Sequence, residues 1–360
     1  MALANTSRRQ FLASLAAAGA SVACLGSGLL AQTQNANPRR LDLHHHFGSP
    51  RWIKRIAEIK RQGWEAFQDY SPAKAIEGMD KAGIETAFVS CTEPGVWYGD
   101  NFAIERAEAI SMARDMNEYG ARMMSDYKGR FGLFAVLPLP DVDASLKEIE
   151  YTLKADGVGL LTSYGDIWQG DKRLQPVFDE LNRRNAVVYS HPTDAACCHN
   201  LAGQNPATLE WFTDTSRTIL SLFAEGPALG GRGEGRTPSA ATRYANIKFI
   251  WSHGGGNLIA STRIIGTVSE RDLSGTPPLN SRLQHIRRFY YDTAGALNPI
   301  VMQGLKKLLG GTSHIVFGTD FPYGNIATFP QGLQTVGFND REIRGINRDN
   351  ALALLPKYRS

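Results

Sequence analysis

The sequence predicts a single-domain α/β protein, a (β/α)8 TIM-like barrel preceded by an export signal, and three observations carry that expectation. From Leu41 onward, short β-branched and apolar runs alternate with stretches of helical periodicity, as parallel strands joined by crossover helices require. Polar residues able to do chemistry, histidines above all, sit at the C-terminal ends of those runs, the rim where barrel active sites are built. The length of 360 residues leaves two or three domains open at about 150 residues each, but α/β barrels commonly run to about 250 or more as one unit.

In chain order, the first element is the signal. Arg8 and Arg9, followed by Gln10, Phe11 and Leu12, form a twin-arginine pattern, and no charge follows until Arg39. Residues 1–31 therefore read as a Tat signal, with cleavage expected after Ala31 and a lipoprotein-type cut before Cys24 as the second choice. The intervening Ala, Gly and Ser are too weakly hydrophobic for a stable membrane anchor. This implies transient contact with the Tat translocase and a periplasmic or secreted protein. Residues 32–40 read as a linker and 41–360 as the barrel domain.

The eight strands are expected at 41–44, 86–91, 131–137, 158–162, 186–191, 247–253, 289–292 and 315–320, from β-branched and aromatic enrichment between turn signals. Helical patterns fall at 72–82, 103–127, 144–155, 174–184, 208–223, 257–269 and 299–309. Two connections exceed what a barrel needs. The stretch 51–70 carries Trp52, Trp64 and Phe67, suited to a lid or to a surface helical excursion. The glycine-rich stretch 226–238 lacks the G-x-G-x-x-G fingerprint and reads as a flexible insertion.

Composition excludes several function classes. Hydrophobic residues at 42% and charged residues at 21% describe an ordinary globular chain, so disorder is ruled out. With 39 basic against 35 acidic residues, a net charge of +4 and no basic block, there is no electrostatic footprint for nucleic acid. Four cysteines are too few for a disulfide scaffold, and none forms a C-x-x-C pair. A small-molecule partner is the expectation.

The chemistry lies in the strand ends. Alternation along Asp42, Leu43, His44, His45 and His46 points His44 and His46 to one face, an H-x-H pair able to grip one metal ion. Such a cluster near a processed N-terminus can also arise incidentally. Three further strands end in polar residues, however: His191 before Pro192, His253 before three glycines, and Asp320 within Gly318-Thr319-Asp320-Phe321. Together they offer three imidazoles and a carboxylate to an ion, with one histidine to spare.

On these residues the chain resembles the amidohydrolase-related superfamily in its aminocarboxymuconate-semialdehyde decarboxylase branch, over roughly Leu41 to the C-terminus. The segments LDLHHHF, PGVW at Pro94 to Trp97, LTSYGD at Leu161 to Asp166 and YYDTAGALNP from Tyr290 to Pro299 are similar to 6-methylsalicylate decarboxylase-like proteins. The resemblance implies His44, His46, His191 and Asp320 as metal ligands, His253 as the catalytic histidine beside the metal, and a homodimer. Binuclear relatives carry a carbamylated lysine at the end of strand four, where this chain has Leu161, Thr162, Ser163 and Tyr164. One metal per chain follows. Three imidazoles and a carboxylate suit Zn2+, with Mn2+ as the other choice.

Candidate substrate contacts are Trp97, Tyr98 and Asn101 after strand two, and Arg263. The last lies near an arginine that in the resembling decarboxylases reaches a neighbouring subunit's substrate, one residue short of their spacing. Cys197 and Cys198 stay out of the site as an adjacent pair that packs or oxidises. The HGGG segment recurs in serine hydrolases, but no G-x-S-x-G elbow accompanies it.

Two reactions fit this set. In non-oxidative decarboxylation of an ortho-hydroxy aromatic acid, the metal would chelate the carboxylate and phenolate oxygens while Asp320 or His253 protonates the ring carbon and carbon dioxide leaves. In hydrolysis of a lactone, amide or ester, metal-bound water would attack a carbonyl with Asp320 or His253 as base. A periplasmic protein that only holds a metal or ligand has no need of the extra His253.

Overall fold

The computed structural model describes residues 38–60, 63–97, 105–195, 197–198, 203–224 and 238–359. Among these, eight parallel strands run in sequence order around one sheet: β1 (Arg40–His46), β2 (Ile84–Ser90), β3 (Phe131–Val136), β4 (Gly157–Leu161), β5 (Val187–His191), β6 (Lys248–Trp251), β7 (Tyr290–Asp292) and β8 (Ile315–Val316). The longer helices are α1 (Pro50–Glu58), α2 (Pro72–Lys81), α3 (Arg106–Asp126), α4 (Val142–Tyr151), α5 (Gln175–Arg183), α6 (Glu210–Leu222), α7 (Arg282–Arg288) and α8 (Pro299–Leu309). Local chemistry sets their ends. The Ser71 side chain accepts from Lys74 N–H with Pro72 at the first turn of α2, and Asn298 and Pro299 open α8, which left-handed Gly310 closes.

Ladder pairing joins every neighbour from β1 to β8, and the last seam is crossed differently. Leu43 N–H donates to Phe317 O at 2.9 Å, Asp320 N–H to His44 O at 2.9 Å and His46 N–H to Phe321 O at 2.8 Å. Side chains reinforce the seam: the buried Asp42 carboxylate accepts from Thr319 N–H at 3.1 Å and from its hydroxyl at 2.6 Å. The sheet is thus nearly closed into the expected barrel. Its interior holds Leu41, Leu43, Phe88, Phe134, Tyr189, Ile250 and Val316, while a larger apolar cluster lies between the strands and the helices.

The structure departs from the expected elements in four places. The eighth strand pairs with β7 over two residues rather than six, and beyond Val316 the chain bonds across the seam to β1 instead, through Phe317 O and the N–H groups of Thr319 and Asp320. The helix expected at 257–269 breaks into short turns at Leu258–Ala260 and Thr262–Ile265, stopped by Gly266 at φ 86°. The stretch 51–70 contains α1 and a 3-10 turn, with Trp52 and Phe67 fully buried and Trp52 Nε1 donating to Gly95 O at 2.7 Å. It is therefore packed into the core along part of its length. In β1 the register slips between Asp42 and His45, so simple alternation does not hold there. The signal, all but Pro238 of the 226–238 insertion and the start of the helix expected at 103 lie outside the described residues.

His285 on α7 is buried beside Phe223, with Nε2 3.2 Å from the Thr242 hydroxyl; burial and then the Arg288 cation push its pKa down to about 4. Above pH 6.5 it is neutral folded or unfolded. As pH falls from 6.5 toward 4, the unfolded chain takes up a proton that the folded chain refuses, so this contribution to stability is lost. The expected result is a shallower decline of thermal midpoint between pH 6.5 and 4 for His285→Gln than for the wild type, measured by calorimetry across that range.

Candidate metal centre

His44 and His46 arrive from β1, His191 ends β5 and Asp320 follows β8; one ligand atom from each lies within 4.8 Å of all the others. Asp320 Oδ1 is 3.0 Å from His44 Nε2 and 3.1 Å from His46 Nε2, and those two nitrogens are 3.1 Å apart. The register slip in β1 makes this grouping possible. Leu43 stays in the interior apolar cluster that includes Tyr189, while the His44 ring also turns to within 5.4 Å of the Tyr189 ring. His45 faces elsewhere, its Nδ1 3.0 Å from Asp42 and its ring stacked on Phe321 at 4.6 Å.

Glycines permit the close approach. A Cβ on Gly318 would lie 2.7 Å from His44 Cβ, and one on Gly256 would lie 2.1 Å from Phe212 O at a φ of 64°. The GTD and HGGG segments thus have a steric reason. His253 at φ 53° and Asp320 at φ 61° are themselves non-glycine residues in the left-handed region, a conformation that costs about 1–3 kcal/mol and collects at functional sites.

The histidines share one orientation. His46 Nδ1 bonds Ser90 O at 3.3 Å, His191 Nδ1 bonds Pro192 O at 2.9 Å, His253 Nδ1 bonds Ala294 O at 3.1 Å and His44 Nδ1 bonds Asp292 Oδ2 at 2.7 Å. Each Nδ1 donates outward, which leaves each Nε2 lone pair for the centre. The Nε2 atoms of His191 and His253 are buried without a hydrogen-bond partner. Two facing lone pairs at 3.1 Å, an orphaned imidazole nitrogen and a carboxylate form a donor set that fits a divalent cation.

Electrostatics agree. Burial alone would lower the His44 pKa, but Asp292 and Asp320 outweigh it and push it up to about 10. Against its own burial, Asp320 is held well below the usual carboxylate range by His44 and His46. Burial lowers His46 to about 4 and also lowers His191 and His253. Without an ion, the positive charge that the two carboxylates favour here is a second proton on His44, which a cation at this point would displace from Nε2, while His46, His191 and His253 are neutral.

The remaining residues divide. His253 lies outside the four-ligand group, its ring 4.8 Å from His44 and 5.6 Å from His191. At the end of β4, Thr162 and Ser163 turn their hydroxyls to Asp214 on α6, at 2.5 and 2.9 Å. Trp97 is half-buried against Tyr164 at 6.2 Å and borders a cavity of about 330 Å³ with Arg106 and Pro138. Arg263 is exposed, and its carbonyl accepts from Arg282. Tyr98 and Asn101 lie outside the described residues. Cys197 and Cys198 are disulfide-bonded to each other rather than packed as thiols.

Sequence reasoning missed Asp42, Asp292 and Tyr323, whose ring lies 5.8 Å from His46. Asp292 was within reach, since it closes the seventh strand as His191 closes the fifth. If the four residues hold one ion, purified protein should carry about one metal per chain, and His191→Ala should lose metal and activity together. Elemental analysis showing two tightly held ions, or an undiminished metal content in the variant, would contradict this.

Comparison with known proteins places this geometry. The amidohydrolase family model matches residues 41–357. The decarboxylase yanB of Aspergillus niger is 32% identical over 341 residues, 89% of this chain and 88% of the relative. A 6-methylsalicylic acid decarboxylase of Penicillium expansum is 29% identical over 339 residues, 89% of this chain and 97% of the relative. Among solved structures, a dihydroxybenzoic acid decarboxylase of Polaromonas with bound manganese and the inhibitor 2-nitroresorcinol superposes with a TM-score of 0.70 at 20% identity, covering 89% and 98% of the two chains. A family match across nearly the whole barrel, with decarboxylases as relatives, means that this chain belongs to the amidohydrolase family, in its decarboxylating branch.

Proposed function

We propose that the protein is a metal-dependent carboxy-lyase that releases carbon dioxide from an ortho-hydroxy aromatic acid of the 6-methylsalicylate type. The observation that carries this reading is the convergence of His44, His46, His191 and Asp320 on one point with His253 beside them but outside the set, in a chain whose relatives are decarboxylases. A bound zinc or manganese ion supplies fixed positive charge that attracts the acid's oxygens and polarises the ring.

The chain's own residues do the rest. His253 presents Nε2 to the site because Nδ1 is committed to Ala294 O, so a proton can be exchanged at one nitrogen only. Asp320 uses Oδ1 for both imidazoles, and its second oxygen remains for a proton or the substrate. Asp320 rests ionised and His253 rests neutral with a bare Nε2, so whichever group delivers the proton to the ring carbon that loses carbon dioxide first takes it up from the acid's own hydroxyl or carboxyl group. The buried surroundings of the imidazoles limit water, which favours protonation at carbon over hydrolysis.

Metal-loaded protein offered hydroxybenzoates and, separately, lactones should release carbon dioxide from the former and leave the latter intact. In the same assay, His253→Asn should keep about one metal per chain while turnover falls by roughly 100- to 10,000-fold, the usual contribution of a positioned acid or base. Acid production from a lactone without carbon dioxide release, or near-normal turnover of the variant, would overturn the assignment.

We also infer export by the Tat route, supported by the Arg8-Arg9 pair and the uncharged stretch that follows. Replacing both arginines with lysine should leave the protein in the cytoplasm. Unchanged recovery outside it in cell fractionation would reject the signal.

A further inference from the structure

Asp292 ends β7 with its side chain fully buried and carries three hydrogen bonds that join two parts of the site. Oδ2 accepts from His44 Nδ1 at 2.7 Å. Oδ1 accepts from the main-chain N–H of His253 at 2.9 Å and of Ala294 at 3.1 Å. The Ala294 carbonyl in turn accepts from His253 Nδ1. One carboxylate therefore holds a ligand imidazole on one side and, on the other, the backbone that fixes His253 in its left-handed conformation.

The three outward bonds of His46, His191 and His253 end on neutral main-chain carbonyls; only His44 is given a carboxylate. Asp292 is not part of the four-residue ligand group. Its effect on an ion passes through His44. An ionised carboxylate only accepts, so it forces the proton onto Nδ1 and leaves the Nε2 lone pair aimed at Asp320 and His46.

Resting on the metal-site reading above, we propose that Asp292 is a positioning residue: without touching the ion or the substrate, it selects the His44 tautomer that can ligate and seats the His253 backbone beside it. The isosteric change Asp292→Asn tests this. The amide oxygen stays with the two main-chain N–H groups, since only an acceptor fits there, and the amide NH2 then faces His44 Nδ1. Two donors cannot share a bond. His44 must move its proton to Nε2, where it blocks ligation. In Asp292→Ala the space left suits one water molecule, which has two lone pairs for three donors and no charge to hold the proton on Nδ1; either tautomer of His44 is then allowed, so ligation through Nε2 is no longer enforced but is not blocked either.

The experiment measures zinc affinity of wild type, D292N and D292A by competition with a chelator, with 15N-histidine NMR of the zinc-free and zinc-loaded proteins to read the His44 tautomer. D292N is expected to bind zinc about 10- to 100-fold more weakly, the usual effect of losing a carboxylate behind a ligating histidine, with His44 protonated at Nε2. D292A, the larger deletion, is expected to bind more tightly than D292N, with neutral His44 protonated at Nε2 in only part of the zinc-free protein. Equal affinity in wild type and D292N, or weaker binding in D292A than in D292N, overturns the proposal, because a purely structural role would make the larger deletion the worse one. If D292N does not fold, D292A decides alone: zinc binding weaker than wild type, with neutral His44 protonated at Nε2 in part of the zinc-free protein, supports the role, and unchanged affinity, or weaker binding with the proton kept wholly on Nδ1 in the zinc-free protein, removes it. A wild type that binds no zinc or manganese would instead defeat the metal reading itself, and absence of carbon dioxide release with normal metal binding would defeat only the assigned reaction.

Discussion

A single buried carboxylate, Asp42, fastens the first strand of the barrel to the last, and the site depends on that fastening. It accepts from His44 N–H, His45 Nδ1, Thr319 N–H and the Thr319 hydroxyl, four donors from two strands whose ladder pairing is incomplete. Hydrogen bonds to a charged group contribute about 1.5–3 kcal/mol each, more than neutral ones. Their consequence here is positional. Pinning Thr319 to the base of the H-x-H segment brings Asp320 within 3.1 Å of both imidazoles.

From that seam the rest of the centre follows as a problem in satisfying buried polar atoms. Imidazoles removed from water need partners for both nitrogens, and the rim supplies acceptors for Nδ1 alone: two loop carbonyls, a strand carbonyl and Asp292. The inward nitrogens are left to one another and to Asp320. An arrangement so costly in the absence of positive charge is favourable once a cation occupies the common point, which is why a donor set and not merely a cluster of histidines is the informative feature.

The same scaffold separates two roles that the sequence motifs leave adjacent. His191 and His253 end neighbouring strands, yet one joins the ligand group while the other, held at positive φ by the Asp292 and Ala294 bonds, faces it from outside. A barrel can do this because each strand end is set independently by its own loop. Family membership and the decarboxylases among its relatives then give this division a chemistry, with a charge to hold the acid and a separate group to move the proton.

The order of the strands, the direction of the chain around the barrel and the residues at the strand ends were determined by the sequence itself, because period-two and period-3.6 patterns are local and the rim rule needs only their ends. Tertiary structure decided what depends on pairs remote in the chain. Asp42 meets Thr319 across 277 residues and His44 meets Asp292 across 248, and no local pattern encodes either encounter. The left-handed turn at His253, whose N–H is held by Asp292, and the orientation of the His44 and His46 rings, set by Asp292 and by the Ser90 carbonyl, likewise depend on remote partners, whereas His191 is set by the adjacent Pro192. The helix expected at 257–269 failed for a local reason: its apolar periodicity was present, but the chain breaks at Ser261 and again at left-handed Gly266, leaving two short turns. Residue types and their spacing thus named the ligands, while the buried hydrogen bonds that turn them toward one point exist only once the first and last strands have met.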